Sequence, residues 1–340
     1  MAIVMKDIAD RLGVSRTAVS YALSGTGRLD PETRERIKQV AAEMGYRPNL
    51  AASSMQTGKT RTIGVIVAMR DPFFARVLQG IHDALAVRNY MPLLLAPSRR
   101  EALLDQIHRL IDRRVDGVIL RPPNDLDADV WREEVEKWHI PLVTVDAPLP
   151  TAPHVDFVGT NDEKGGALVA RHLLDLGHRR FGMVAGSWFY TGQARARGFE
   201  QELGKVVGTS CTTVTVPGPK SAPPKIHELL DMRPPPTAVF AMTDRLAFPF
   251  YDIARERGME IGLDLSLVGY CDSVASVLLS PQLTSIHQAP EAMGEQAAQF
   301  VLDRIEPSGD DDTPPRRLEM DPALVVRGSS GPLMKDSSQK

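Results

Sequence analysis

The sequence is poor in cysteine and in long apolar runs, and each shortage excludes a class of protein. Its only two cysteines, Cys211 and Cys271, stand 60 positions apart, which argues against a disulfide framework and fits a reducing compartment. The longest apolar stretch, residues 63–69, is far shorter than the roughly 20 residues of a membrane-spanning helix. The opening residues become charged at Lys6-Asp7, unlike a signal peptide. We therefore expect a cytoplasmic protein that does not bind a membrane.

Composition and charge indicate a folded chain of several domains with one basic end. Its 340 residues, at about 150 per domain, predict two to three domains, and its 43% apolar and 24% charged residues are typical of globular proteins. Nine of the 40 basic and six of the 43 acidic residues fall in residues 1–60, so this head carries a formal charge of +3 and the remainder −6. Such a division suits a chain of which only the head touches a polyanion.

Residues 6–44 predict three short helices. Apolar residues recur at helical spacing over residues 6–12 and 16–24, which Gly13 separates, and Ser15 is a suitable N-cap for the second helix. Asp30-Pro31 supplies an N-cap and a proline at the first position of a third helix, which continues to residue 44. Two short helices around a tight glycine turn, with a third packed against them, predict a helix-turn-helix.

The segment that follows, residues 46–61, is mostly polar or small. It contains the break Tyr46-Arg-Pro-Asn49 and has too few apolar residues to bury itself. We expect a linker, or a helix that forms only on a partner.

After Arg61, strand-like apolar runs alternate with amphipathic helices, which predicts a parallel α/β fold. Eight such units fit either one barrel or two doubly wound sheets. An irregular stretch at residues 147–160, and a further strand at residues 284–287 before a helix at residues 292–305, favour two lobes with a cleft between them. The predicted strands are Thr62–Met69, Met91–Ala96, Val115–Leu120, Pro141–Asp146, Arg180–Gly186, Cys211–Val216, Thr237–Met242 and Leu265–Tyr270.

The sequence carries no local signature of an enzyme. Gly58-Lys59-Thr60 resembles the end of a phosphate-binding loop, but the first glycine of that motif would fall at Ser53 and no strand precedes it. No dinucleotide fingerprint, zinc-protease helix or nucleophile elbow occurs, and the eight histidines lack metal-ligand spacing. A triad of distant residues would leave no local signature, so the sequence leaves that alternative open. We expect no enzyme activity, no metal site and no cofactor.

With these features in view, nearly the whole chain resembles the lactose/galactose-repressor family of bacterial transcription regulators. The resemblance implies a DNA-binding head, a hinge helix, and a dimeric core that folds like a periplasmic sugar-binding protein. An exported binding protein would explain the core alone, but it would need a signal peptide and no basic head. The segments that carry the resemblance are Asp7–Ser20, Gly45–Asn49, Asp71–Phe74, Asp116–Ile119, His172–Arg180, Arg195 with Gly198-Phe199, Pro236–Val239, Val268–Tyr270, Leu283–Ile286 and Leu324–Arg327.

The second helix of the head is then the recognition helix, whose first turn and outward face read base edges in the major groove. Arg16 suits guanine, Thr17 a thymine methyl or a base donor, and Tyr21 a base or a phosphate. Many relatives carry arginine at the position of Tyr21, so the operator half-site need not follow the common consensus. The alternative is that Arg16 is only a solvated residue at a helix start. The residues better suited to phosphate contacts are Ser15, Ser20 and Asn49.

The resemblance also places the hinge helix within residues 50–55. Met55 stands where the family usually has a leucine that wedges between base pairs and kinks the DNA. Ala51 and Ala52 are small enough for two hinge helices to approach closely in a minor groove. The alternative for Met55 is an incidental apolar linker residue.

The effector cleft departs from the family pattern. Asp146 and Arg195 match positions at which relatives contact their ligands, and Phe74 stands where an apolar wall is expected. Thr243, however, replaces the usual asparagine, and Cys271 replaces the usual aspartate after Gly-Tyr. Two groups that normally bind sugar hydroxyls are therefore missing.

Two basic residues fall near this cleft. Arg121 stands where a neutral side chain is common, and Lys220 stands near a position that is often aromatic. Loss of acid and gain of base favour an anionic effector over a neutral sugar. The alternative is that both cations point to solvent and the pocket has drifted.

The sequence thus predicts an effector-controlled regulator, most simply a repressor, that binds a near-palindromic operator in double-stranded DNA as a homodimer. The expected domains are a helix-turn-helix head at residues 1–46, a hinge at 47–61, a two-lobed effector-binding and dimerisation core at 62–328, and a tail at 329–340. That tail lacks the leucine heptads that make some relatives tetrameric.

Overall fold

A computed structural model describes residues 3–25, 27–47, 54, 58–69, 71–95, 101–122, 128–149, 152, 154–186, 190–306 and 314–333, with the backbone alone at residues 101, 102, 128–132 and 190. The chain divides into two compact units, Met1–Thr60 and Arg61–Lys340. Each unit has its own apolar core.

The described part of the first unit contains three helices, α1 (Met5–Leu12), α2 (Arg16–Ser24) and α3 (Pro31–Glu43). The predicted caps are present: the Ser15 hydroxyl accepts a hydrogen bond from the Ala18 amide at 3.1 Å, and the Asp30 carboxylate accepts one from the Thr33 amide at 2.9 Å. Left-handed Gly13 and Gly25 end α1 and α2. The helices enclose a small core whose buried members are Ile8, Ala9, Val19, Ala22, Ile37 and Ala41. These elements form the helix-turn-helix that the sequence predicts.

The second unit has two lobes, each built on a parallel sheet. The described part of the first lobe forms one sheet of six parallel strands. Their order across the sheet is β11 (Arg317–Met320), β5 (Asp156–Thr160), β4 (Leu142–Val145), β3 (Gly117–Leu120), β1 (Thr62–Ile66) and β2 (Met91–Leu95). Buried side chains cover both faces of this sheet, which makes it doubly wound. Its elements are β1 (Thr62–Ile66), α4 (Pro72–Val87), β2 (Met91–Leu95), α5 (Glu101–Asp112), β3 (Gly117–Leu120), α6 (Ala128–Lys137), β4 (Leu142–Val145), β5 (Asp156–Thr160), α11 (Pro290–Ile305) and β11 (Arg317–Met320).

The described part of the second lobe forms one sheet of four parallel strands, again with a core on each face. Their order is β7 (Ser210–Val216), β6 (Arg180–Gly186), β8 (Ala238–Ala241) and β9 (Ser266–Val268). An antiparallel pair, β10 (Ser285–His287) with β12 (Ala323–Val325), lies beside this sheet through a bridge between Val268 and Thr284. The core therefore contains two doubly wound sheets, and the alternative of a single barrel is wrong. The elements of this lobe are α7 (Asp162–Asp175), β6 (Arg180–Gly186), α8 (Tyr190–Leu203), β7 (Ser210–Val216), α9 (Ala222–Leu230), α10 (Asp244–Arg257) with its neighbour β8 (Ala238–Ala241), β9 (Ser266–Val268), β10 (Ser285–His287) and β12 (Ala323–Val325).

One pair of helices in each lobe packs backbone against backbone. In the first lobe, a Cβ on Gly80 would overlap the Glu291 carbonyl, and one on Gly294 would overlap the Val77 carbonyl. In the second lobe, Gly166 and Gly198 bring α7 and α8 equally close. Any larger residue at these four positions would push the helices apart.

The chain passes between the lobes three times, after β5, after β10 and after β11. The Gln288 amide donates a hydrogen bond to the Thr160 hydroxyl at 3.2 Å, which joins the first two passages. Lys164 pairs with Asp321 at 2.8 Å, which joins the first and the third. One hydrogen bond and one ion pair thus link the three passages to one another.

Three strands were not predicted. β5 falls inside the stretch expected to be irregular, and β11 and β12 lie in a region for which no strand was expected. The first strand also ends at Ile66 instead of Met69. β5 opens with a buried aspartate, Asp156, which is unusual in a strand. Hydrogen bonds from Arg304 and Arg316 to its carboxylate, at 2.8–3.0 Å, compensate this charge and lower the pKa of Asp156 against the opposing effect of burial.

Another buried polar group ties the C-terminal segment to the second lobe. His178 lies within hydrogen-bond distance of the Thr237 and Ser266 hydroxyls, at 2.9 and 3.0 Å, and of the Gly331 carbonyl at 3.1 Å. Burial lowers the pKa of His178 below its ordinary value. Burial also lowers the pKa of His172, which lies within hydrogen-bond distance of the Ser330 hydroxyl.

We predict that this burial makes the core less stable in mild acid. Because the folded-state pKa is depressed, the unfolded chain takes up a proton first as pH falls through the ordinary histidine value of 6.5, and the free energy of unfolding falls with it. Urea denaturation between about pH 7.5 and pH 5.5, a range that spans about one unit either side of that value, measures the slope. His178→Gln should flatten the slope, whereas the control His82→Gln, at an exposed site on α4, should not. An unchanged slope in His178→Gln would contradict the prediction.

Candidate functional site

The outward face of α2 is the candidate DNA-contacting surface of the head. Arg16, Thr17 and Tyr21 are exposed there, on the side opposite buried Val19 and Ala22. Ser20 is half-buried on the same face, and the hydroxyl of exposed Ser15 accepts the capping hydrogen bond. The structure therefore gathers these five predicted residues along one exposed side of one helix.

Two contacts fix the turn after this helix. Arg34 donates hydrogen bonds to the carbonyls of Gly25 and Gly27, at 2.9 and 3.1 Å. The Tyr21 ring lies so close to Gly27 that a Cβ there would come within 2.6 Å of it. This packing holds the ring in place while Tyr21 keeps 41% of its surface exposed. The other predicted DNA contacts, Asn49, Ala52 and Met55, lie outside the described residues.

The core contains a cavity of about 890 Å³ between its two lobes. It opens beyond the carboxyl ends of the strands, where ligands bind in doubly wound sheets. Lys220 does not line it: this side chain is exposed on the short helix Pro219–Ser221, of which only Pro219 reaches the cavity. The structure brings together the other predicted effector residues, which are Phe74, Arg121, Asp146, Arg195, Thr243 and Cys271.

On the first lobe, Arg121 and Asp146 face each other across the ends of β3 and β4. The Arg121 Nε donates to the Asp146 carboxylate at 3.1 Å, and its Nη1 donates to the Pro122 carbonyl at 2.8 Å. Both side chains are largely buried. The cation that the sequence offered for an anionic ligand is thus already paired within the protein.

On the second lobe, Arg195 forms the centre of a buried cluster. Its Nε donates to Asp162 at 2.7 Å and its Nη1 to the Met242 carbonyl at 2.8 Å, while its guanidinium carbon lies 3.8 Å from the centre of the Tyr270 ring. Only 3% of the Arg195 surface is exposed. Burial raises the pKa of Asp162 to about 6, and the charge of Arg195 opposes that rise. Arg195 therefore joins three elements of the lobe at the wall of the cavity.

A third charged group, Asp244, organises the loop after β9. Its carboxylate accepts hydrogen bonds from the Ser285 hydroxyl at 2.6 Å, the Ser276 hydroxyl at 2.8 Å and the Ser273 amide at 2.7 Å. Burial raises the pKa of Asp244. Through these three bonds the carboxylate, at the start of α10, holds the loop after β9 and the start of β10 against this helix.

The two positions that depart from the family pattern both line the cavity. Thr243 precedes α10, is buried, and has a hydroxyl with no hydrogen-bond partner within the described chain. Cys271 has a left-handed backbone with φ of 110°, and burial raises the pKa of its thiol. Neither residue offers a charge to a ligand.

Sequence reasoning missed several lining residues, among them Phe248 and Gln288. Phe248 lies within the apolar stripe of α10, which looks like any core-facing stripe. Gln288 follows β10 at a passage between the lobes, and its side-chain oxygen has no partner among the described groups. Among the described residues, no group of histidine, cysteine, aspartate and glutamate has an arrangement that would hold a metal ion.

Comparisons with known proteins agree with the division of the chain into a helical head and an α/β core. Residues 4–49 match the family model for bacterial regulatory proteins of the lacI family, and residues 170–330 match a periplasmic binding protein-like domain. The HTH-type transcriptional repressor PurR of Aliivibrio salmonicida is 30% identical over 334 residues, which cover 96% of this chain and 98% of that protein. The chain belongs to the LacI family. It is a transcription regulator with a helix-turn-helix head, and not an enzyme.

Solved structures of LacI-family regulators have the same fold. The regulator CelR in complex with cellobiose is 28% identical, with a TM-score of 0.70 over 96% of this chain and 99% of that one. A family member from Enterococcus faecium with bound ribose is 29% identical, with a TM-score of 0.70 over 80% and 100% of the two chains. The lac repressor dimer on its operator, 23% identical, gives a TM-score of 0.84 over 97% and 100%. Within the described part of this LacI-family chain, no helix is long and apolar enough to cross a membrane.

We predict that the buried Arg195–Asp162 pair is required for the stability of the second lobe. Arg195→Met leaves Asp162 buried without its partner, which should lower the free energy of unfolding by about 3–5 kcal/mol in urea denaturation. The double variant Arg195→Met/Asp162→Asn should recover much of that loss, because no unpaired charge remains.

The matched control is Arg197→Met on the same helix, where the pair with Glu163 is exposed and 3.7 Å long. This substitution should lower the free energy of unfolding by less than about 1 kcal/mol. Equal losses for Arg195→Met and Arg197→Met would refute the assignment.

Proposed function

We propose that this regulator is an effector-controlled repressor that binds a near-palindromic operator as a homodimer in the cytoplasm. One observation carries the proposal: a single chain joins an exposed recognition helix to a two-lobed core with a ligand-sized cavity. We assign the head to residues 1–46, the hinge to 47–61, the core to 62–328 and the tail to 329–340. The boundary between the two compact units, which lies after Thr60, supports the separation of head and hinge from the core.

In the proposed complex, α2 enters the major groove. Arg16 reads guanine with its forked donors, while Thr17 and Tyr21 contact neighbouring bases or phosphates. The hinge residues Ala52 and Met55 act in the minor groove at the operator centre. Phosphate contacts from Ser15, Ser20 and Asn49 fix the register.

The proposed effector binds in the cavity between the lobes. Phe74, Arg121, Asp146, Arg195, Thr243 and Cys271 form part of its wall. CelR and the Enterococcus faecium regulator hold cellobiose and ribose, which supports a small-molecule ligand in this chain too. A ligand that prefers one arrangement of the lobes changes DNA affinity through the hinge, typically by about 1–3 kcal/mol.

Selection of DNA from a random pool by the full chain tests the proposal. We expect enrichment of an inverted repeat, a Kd of roughly 10⁻⁸ to 10⁻¹¹ M, and a steep loss of affinity with salt. Enrichment of no sequence would overturn the proposal.

We predict that Arg16 reads a base. Arg16→Ala should weaken binding to the selected operator by about 1–3 kcal/mol and relax the preference at one position of each half-site. Arg36→Ala, at an exposed site on α3, serves as the control and should leave the base preference unchanged. An equal loss on all sequences would instead make Arg16 a phosphate contact.

We predict that the edge of the first sheet forms part of the dimer interface. β2 is an edge strand, and it exposes Met91 and Leu94 by 66% and 40%. Exposed apolar side chains on a sheet edge favour association with a second copy. In sedimentation equilibrium, Leu94→Asp should shift the protein towards monomer, whereas Val207→Asp, at a site 98% exposed on the other lobe, should not. A dimer that tolerates Leu94→Asp would exclude this edge.

A further inference from the structure

Within the part of the cavity wall that the structure describes, each cation already has an acidic partner in the protein. Arg121 pairs with Asp146, Arg195 with Asp162, and Arg76 with Glu291, with N–O distances of 2.6–3.1 Å. Arg245 pairs more loosely with Asp71, at 3.7 Å. An anionic ligand would therefore have to compete with a resident carboxylate for each of these cations, and this competition is costly at the two buried pairs, Arg121–Asp146 and Arg195–Asp162.

The described acidic side chains of the wall are engaged as well. The two oxygens of Asp244 accept three hydrogen bonds, from Ser273, Ser276 and Ser285, and Asp71 accepts one from the Phe73 amide at 3.1 Å. Sugar-binding sites need carboxylates and amides that are available to hydroxyl groups. In the described wall of the cavity, the side-chain oxygens that are buried without a partner belong to Thr243 and Gln288. These two oxygens can serve a ligand with one or two polar groups, but not the many hydroxyl groups of a sugar ring.

Much of the remaining wall is apolar. Phe73 and Phe74 stand edge to face, with ring centres 5.2 Å apart, and Phe248 comes from the opposite lobe. Pro72, Val274 and Ala275 extend the same surface. A wall of this kind gains most from a ligand whose surface is itself apolar, and aromatic side chains favour ring-shaped partners.

We propose that the effector is a neutral, largely apolar ring compound with few polar groups, and neither an anion nor a free sugar. This inference rests on the proposed function and deepens it. It replaces the anionic effector that the counts of basic and acidic residues favour, because the cation at Arg121 is paired and Lys220 lies outside the cavity wall. The cavity, at about 890 Å³, has room for a compound of two or three rings.

A matched pair of fluorescent probes tests the proposal with the full chain. N-phenyl-1-naphthylamine is neutral, and 8-anilinonaphthalene-1-sulfonate is the same ring system with one sulfonate. We expect the neutral probe to bind one site per chain at least about tenfold more tightly than the sulfonate, and Phe248→Ala to weaken it by about tenfold. Leu263→Ala, at an exposed apolar site that does not line the cavity, should change neither affinity.

A second variant tests the argument from charge. Asp146→Asn keeps the shape of the wall but removes the acidic partner of Arg121. It should raise the affinity for the sulfonate several-fold relative to the neutral probe. No change in the ratio of the two affinities would show that the pairing of Arg121 does not exclude anions.

Three outcomes would overturn the proposal. They are tighter binding of the sulfonate than of the neutral probe to the unaltered protein, displacement of the neutral probe by millimolar ribose or cellobiose, and no saturable site that Phe248→Ala weakens. Operator binding of each variant is measured in parallel. A chain that binds its operator but fails the probe tests would refute this inference and leave the repressor function standing.

Discussion

The buried pair of Arg195 and Asp162 is the interaction around which the elements of the second lobe are arranged. Asp162 begins α7 directly after the chain leaves the first sheet, and Arg195 lies on the neighbouring α8. Arg195 also reaches the end of β8 through the Met242 carbonyl and the Tyr270 ring beyond β9. Either charge alone in this interior would be strongly destabilising, so the pair obliges these elements to stay together. The glycines that let α7 and α8 approach serve the same arrangement, because a larger residue at Gly166 would overlap the backbone carbonyl of Arg195 itself.

The contacts around the cavity differ in what they join. The Arg195 cluster lies within the second lobe and the Arg121–Asp146 pair within the first, whereas the hydrogen bond between Gln288 and Thr160 lies where the chain changes lobes. Across the mouth, Arg245 of the second lobe meets Asp71 of the first at 3.7 Å, with half of the Arg245 side chain exposed. An exposed, long ion pair contributes little to stability. Of the contacts named here that join the lobes, the Gln288–Thr160 hydrogen bond is buried, and the exposed Arg245–Asp71 pair adds little to it.

Most elements of the fold could be predicted from the sequence because their signals are local. The bounds of α2 and β6 agree with the prediction, since Ser15 and Gly25 cap the first and a continuous apolar run defines the second. β5 was missed for the opposite reason. Its buried Asp156 is compensated by Arg304 and Arg316, which follow it by 148 and 160 positions, and no local pattern announces such a partner. β11, an edge strand that alternates polar and apolar residues, pairs with β5 and shares this dependence on distant chain.

The place of the interlobe cavity could be predicted, but the pairing of the charges in its wall could not. The carboxyl ends of parallel strands meet at one edge of a sheet, so Arg121, Asp146, Thr243 and Cys271 converge whatever their side chains are. Composition counts Arg121 as a cation gained and Cys271 as an acid lost, which suggests a positive site. The structure sets Asp146 against Arg121, so the gained cation is neutralised before any ligand arrives. A site's preference follows from the charges that remain unpaired and not from the charges that are present, and pairing is decided by the fold.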